Sequence, residues 1–264
     1  MDLELAGRTA LVTGASTGIG EAIAQQLASE GVSVALVART EADLQSAAEA
    51  IHRAHGHPVV PIAADLSRID EVERVVALAH ERLGRIDILV NNAGSIRMGE
   101  FLELPDEAWL QDWNLKPLSY VRLVRSVFPL MRQQGGGRIV NVAGLAARNP
   151  VPQYVAGGAA NAAIVNMTKS LAELGAPHRI LVNAVSPGAV RTRRLEARIA
   201  ARAARQGRSV EEEWAQRDAT HPLGRLARPR DVADLVAFLV SARASFINGT
   251  CVTLDGGASR GVYL

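Results

Sequence analysis

The octapeptide TGASTGIG at residues 13–20 has the composition of a phosphate cradle. It follows the apolar run RTALVTG (8–14) and opens a segment, Gly18 to Glu30, whose apolar residues recur at helical spacing. A strand that turns through glycines into a helix aims free backbone N–H groups and the positive helix end at a pyrophosphate. Gly14 suits the tight turn, while Gly18 and Gly20 let backbone approach the phosphate and helix pack on strand. Ser16, Thr17 and Ile19 complete the loop. Glycines alone are a weak signal; glycines set between a strand and a helix are a strong one.

A second chemical position ends the next strand, VSVALVA (32–38). A carboxylate there would accept hydrogen bonds from the ribose 2′-OH of NAD(H). This chain has Ala38 and then Arg39. No acid repels a 2′-phosphate, and a guanidinium can grip one in forked geometry. NADP(H) is therefore favoured, with NAD(H) the alternative, although Thr17 supplies no second base.

Between 191 and 208 stand seven arginines and a single acid, Glu196. Two readings are open: a solvated helix face answered by Glu211, Glu212 and Glu213, or a lid that attracts an anionic substrate such as a carboxylate or a phosphate-bearing thioester. His52, His55 and His57 have no cysteine or acid at metal-ligand spacing, so no metal site is expected. Cys251 lies in an apolar strand and reads as core.

These positions need a scaffold. Further strands are read at HPVVPIAA (57–64), IDILVNN (86–92), GRIVNVA (137–143), RILVNAV (179–185) and GTCVTLD (249–255). Helical patterns fill the gaps at 41–55, 69–83 (with Ser67 as a cap), 106–133, 153–175 and 229–240. Strands apolar on both faces and separated by helices predict a parallel sheet covered on both sides. The expectation is one doubly wound, Rossmann-type α/β domain over residues 1–264, with seven strands and a substrate lid at about 189–225.

Composition narrows the class. A net charge of +2 over 264 residues does not suggest nucleic acid as a partner. No apolar run is long enough for a membrane span. The N-terminus lacks a signal-peptide layout and the sole cysteine forbids an internal disulfide, so a cytoplasmic location is expected.

The glycine loop, read with motifs further along, resembles the short-chain dehydrogenase/reductase family. Asp65-Leu66 is similar to that family's adenine-contacting pair, and Asn91-Asn92-Ala93-Gly94 to its N-N-A-G motif. Asn114 in WNLKP matches its mid-helix asparagine. Pro187-Gly188, with Val190 and Thr192, matches its P-G-x-x-x-T turn near the nicotinamide, and HPLGRLARPRDVADLVAFL and VTLDGG are similar as well. The likeness spans about residues 5–258. It implies hydride chemistry on a small-molecule substrate and a homotetramer or homodimer built through the helices at 106–133 and 153–175.

The same resemblance exposes a departure. Relatives carry Tyr-x-x-x-Lys on the helix after strand five and a serine at that strand's end. Aligned on TKSLA (168–172), this chain has Gly157, Asn161 and Gly144 there. Its only lysines are Lys116 and Lys169, and positions four before them hold Asp112 and Val165, so the motif occurs nowhere. Loss of a placed general acid typically costs about 10²- to 10⁴-fold in rate. Candidate replacements are Tyr154, three residues before Gly157, Arg148 in the preceding loop, and Asn161 itself, beside Asn114. Gly157-Gly158 implies either a later helix start or room for a substrate or a water. Three readings follow: an oxidoreductase with an altered active centre acting on a carbonyl, enone or imine; a nucleotide-binding sensor or partner subunit without turnover; and a non-redox enzyme such as a dehydratase or isomerase.

Overall fold

The computed structural model describes residues 1–260. Seven strands, β1 (Thr9–Thr13), β2 (Ser33–Ala38), β3 (Val59–Ala63), β4 (Ile88–Asn91), β5 (Gly137–Val142), β6 (Ile180–Pro187) and β7 (Cys251–Leu254), form one sheet in the order β3-β2-β1-β4-β5-β6-β7. Every pairing is parallel. Strand order reverses between β1 and β4, which opens a crevice at their carboxyl ends.

Alternation along β1 shows how both faces are buried. Ala10 and Val12 join a core with α1 (Gly18–Ser29), α2 (Glu41–His55) and α9 (Pro229–Val240). Leu11 faces the opposite core, built with α3 (Ile69–Leu83), α5 (Pro117–Gln133) and the end of α6 (Val155–Gly175). The strands read as continuous apolar runs because neither face meets water.

Several local expectations are corrected. The helical pattern at 106–133 is two helices, α4 (Asp106–Leu115) and α5, with Lys116 alone between them. Pro117 accounts for the break, because it has no N–H to continue the ladder and its ring crowds the preceding residue; Lys116 keeps a distorted right-handed conformation at φ −100° and ψ −78°. Ser67 does not cap α3. Arg68 takes the N-cap position without a side-chain bond, and the Ser67 N–H donates to the Asp65 carboxylate at 3.0 Å. Cys251 is half-buried rather than fully internal, although burial still pushes its thiol pKa up. The Arg-rich segment forms two helices, α7 (Arg193–Gln206) and α8 (Val210–Ala219).

Candidate active site

The phosphate loop is held against the β4 turn by Thr13 and Asn92. The Thr13 hydroxyl accepts from the Asn92 and Ala93 N–H groups at 2.9 and 3.0 Å. The Asn92 amide donates back to the Thr13 and Gly14 carbonyls at 3.0 and 3.2 Å. This brace leaves no room for side chains. A Cβ on Gly14 would lie 2.9 Å from the Asn92 amide nitrogen, and one on Gly20 would run into the Gly14 carbonyl oxygen. Gly14 and Gly18 also hold left-handed φ values of +64° and +65°, which suit glycine.

Outside the brace runs a groove of about 250 Å³, walled by Ser16, Thr17, Arg39, Leu66, Ala93 and Gly94 and by no acidic side chain. It passes the N-terminus of α1, whose first N–H groups lack helical partners. Ile19 instead packs inward on the core. At the other end the Thr192 methyl sits 3.4 Å from where a Gly18 Cβ would be. The turn carrying it follows Pro187, is fixed by the Gly188 N–H on the Leu254 carbonyl at 2.9 Å, and pairs Val190 with Ala227. A glycine cradle, a helix N-terminus, an apolar wall at Leu66 and an exposed Arg39 together fit an adenine dinucleotide.

The Asn91 side chain lies in the core rather than in the groove wall. It is fully buried, with its amide donated to Asn141 Oδ1 at 2.9 Å. Asn141 in turn donates to Thr168 Oγ1 at 2.9 Å, which donates to the Ile164 carbonyl at 2.7 Å. The side chains of three elements thus bolt α6 to β4 and β5.

That bolt presents one face of α6 to the crevice. The helix begins at Val155, so Gly157 and Gly158 lie in its first turn and the later start is not observed. Nor does Gly157 leave open space: the Tyr154 ring lies there, and a Cβ on Gly157 would overlap its Cζ, Cε1 and Cε2 atoms. One turn on, Asn161 is buried and its Oδ1 accepts from Lys116 Nζ at 2.9 Å, while its amide nitrogen approaches the missing Cβ of Gly144 to 3.0 Å. Lys116 also donates to the Ala143 carbonyl at 3.2 Å. Its stem crosses Gly94, where a Cβ would lie 2.7 Å from Lys116 Cγ and Cδ. Burial lowers the Lys116 pKa to about 8, with the Arg194 charge acting in the same direction.

Tyr154 lines a cleft of about 570 Å³ together with Ile96, Arg97, Arg194, Arg198 and Arg217. The segment from Gly94 to Arg97 carries the groove wall into the cleft wall. Arg97 is neutralised by buried Asp112 at 3.0 Å. On the arginine-rich arm, Glu213 pairs Arg202 and Arg208, and Glu196 pairs Arg191. Arg194, Arg198 and Arg217 have no carboxylate partner among the described residues, and Arg217 Nε is buried without any partner. Burial raises the Tyr154 pKa, Arg194 and Arg198 oppose it, and Asp112 adds to it. The phenol therefore keeps its proton at neutral pH.

Two candidates point elsewhere. The Asn114 amide donates to the Ser67 carbonyl at 2.8 Å, where Arg122 also donates. Arg148 lies in electrostatic range of Cys251 on β7 and is not part of the cleft wall. Sequence reasoning did not place Lys116 beside Asn161, Thr13 and Asn92 as braces, or Arg217 in the cleft wall, whereas Arg194 and Arg198 belong to the arginine-rich stretch it read as a possible lid. The signal for Lys116 was present: it is one of two lysines in the chain and stands directly before a proline.

A nucleotide groove at the switch point of a doubly wound sheet, continuous with a cleft that holds a proton donor, defines a dinucleotide-binding α/β protein of the oxidoreductase class. The family described as enoyl-(acyl carrier protein) reductase matches residues 14–259. Oxidoreductase UcpA of Salmonella typhimurium is 38% identical, covering 97% of this chain and 96% of that protein. Short-chain reductase NovJ of Streptomyces niveus is also 38% identical, covering 94% and 92%. The structure of L-sorbose reductase from Gluconobacter frateurii, complexed with NADPH and L-sorbose, superposes with a TM-score of 0.96 at 33% identity, covering 99% of this chain and 100% of that one. The chain belongs to the short-chain dehydrogenase/reductase family and is an NAD(P)-dependent oxidoreductase.

Proposed function

We propose that the protein is an NADP(H)-dependent reductase with an atypical active centre, acting on a carbonyl, enone or imine substrate that carries an anionic group. The cleft carries this reading. It sets the Tyr154 phenol among three arginines with no carboxylate of their own. An anionic substrate would supply the missing counter-charge, with α7 and α8 serving as the lid that brings it in. Arg39 and the absence of acid along the groove support the 2′-phosphate, as does the NADPH held by the L-sorbose reductase.

When bound, NADPH supplies a hydride. The chain's own residues do the rest. Gly14, Ser16, Thr17 and Gly18 hold phosphate, Arg39 grips the 2′-phosphate, and Leu66 packs the adenine end. Tyr154 gives its proton to the substrate oxygen or nitrogen as charge develops there. Arg194, Arg198 and Arg217 orient the anionic end. We also propose a cytoplasmic homotetramer or homodimer assembled through α4, α5 and α6.

Fluorescence titration with both reduced nucleotides and a turnover panel of anionic and neutral carbonyls, enones and imines test the reading. Tighter binding of NADPH and faster turnover of the anionic substrates are expected. Clearly tighter NADH binding overturns the nucleotide assignment. NADPH binding without turnover across the panel instead supports a sensor or partner subunit.

A further inference from the structure

We infer that Lys116 supplies the cation that supports Tyr154, so that this chain assembles its proton-donating pair from two segments flanking α6 rather than from α6 itself. The inference rests on the reductase reading above.

Gly157 and Asn161 are four residues apart on α6 and share one face, with Cβ positions about 5–6 Å apart. Each is occupied by a group from elsewhere. The phenol end of Tyr154, from the turn before α6, lies on Gly157. The Lys116 ammonium, from the break between α4 and α5, lies on the Asn161 side chain. A tyrosine and a cation thus meet α6 at positions one turn apart, without a Tyr-x-x-x-Lys sequence.

The surroundings of Lys116 favour an electrostatic role over a structural one. An ammonium has three N–H donors. Two go to neutral acceptors, the Ala143 carbonyl and Asn161 Oδ1, which leaves one. Among the described residues no carboxylate takes the charge: Asp112, one turn back on α4, is held by Arg97, and the charged group facing Lys116 from α7 is Arg194, of the same sign. Lys116 is half-buried, and the partial desolvation of an ammonium with no acid beside it is uncompensated. A phenolate forming at Tyr154 would compensate it. Reduction of a carbonyl replaces the C=O π bond with one C–H and one O–H bond. The hydride comes from the reduced nicotinamide, which is oxidised; the proton comes from Tyr154, whose O–H bond breaks and whose phenolate regains a proton from solvent. Lys116 acts through Asn161 and through its field, so it is a positioning residue.

The chain has two lysines and three tyrosines, which makes direct observation simple. Protein labelled with ¹³C at lysine Cε and tyrosine Cζ is titrated by NMR with and without NADPH, and assigned with K116R and Y154F. One lysine signal should titrate near 8, and the Tyr154 signal should shift with the same inflection. In kinetics, kcat for reduction by wild type should fall above that pH. K116M should lose about 10²-fold in kcat with NADPH affinity unchanged and the alkaline limb gone; K116R should recover most of kcat with the limb moved to higher pH. A Lys116 signal titrating near the ordinary lysine value, or a Tyr154 signal blind to Lys116, overturns the inference, as does wild-type kcat in K116M. The NMR readout needs no substrate, and K116R and Y154F serve only to assign its signals. A protein that turns over nothing yet shows the coupled titration refutes the reductase reading and leaves the pair standing.

Discussion

Gly157 is a residue whose lack of a side chain is used by another residue. An alanine there should gain helix propensity of up to about 1 kcal/mol, yet its Cβ would displace the Tyr154 ring. G157A is therefore expected to keep or raise thermal stability while losing at least tenfold in turnover. A melting curve beside an initial-rate measurement checks this, and a fully active G157A would show that the ring position is irrelevant. Arg39 gives a second residue-level prediction. Its exchange in R39E removes a forked donor and adds repulsion, so NADPH affinity should fall by about tenfold to a hundredfold while NADH affinity holds. Lys116 gives a third. Its pKa is lowered from 10.5 to about 8, so between those values the unfolded chain binds more protons than the folded one. Stability must then rise with pH across that window. Wild type measured against K116M in urea should gain on the variant from pH 8 to 10.5 and show no such trend below it.

At the scale of elements, α6 matters more through its anchoring than through its own sequence. The chain from Asn91 through Asn141 to Thr168 fixes how far the helix stands from the sheet, and all its members are buried. T168V would leave the Asn141 amide without an acceptor, at about 1–3 kcal/mol, and shift the face carrying Asn161. Urea denaturation measures the first effect. The second should appear as a weaker kcat with NADPH binding retained. Most elements were readable from the sequence, since strands buried on both faces leave an unambiguous apolar signature and the glycine loop fixes where β1 ends. The break at Pro117 was not read, although a proline there was its signal, and neither was its consequence. Spacing along one helix reports neighbours on that helix. It says nothing about a lysine reaching in across Gly94, or about a ring folding back from a 3-10 turn (Pro152–Tyr154). The groove residues Gly14, Arg39 and Leu66 were legible because they sit in a contiguous motif or at a strand end. The cleft was not, because its arginines converge from α7, α8 and the loop after β4.

At the scale of the whole molecule, positive charge is unevenly matched. Glu213, 3% exposed between Arg202 and Arg208, ties α7 to α8, and Arg191 stacks 4.2 Å over Trp214. These contacts join the arm's two helices, while Arg194, Arg198 and Arg217 face the cleft uncompensated. Attraction of an anionic substrate should then weaken with salt: KM for the anionic members of the panel should rise between low and high ionic strength, and that for neutral members should not. Equal salt dependence would remove the arm's proposed role. Leu110, Leu118 and Leu174 are exposed on α4, α5 and α6. If these helices join subunits, L118E with L174E should convert a dimer or tetramer to a monomer in light scattering.

The Tyr154 ring over Gly157 also limits which side chains this face of α6 can carry. A tyrosine introduced at 157 meets an occupied site, and a lysine introduced at 161 would set a second ammonium against the first. Either substitution would therefore call for a compensating change at Tyr154 or at Lys116.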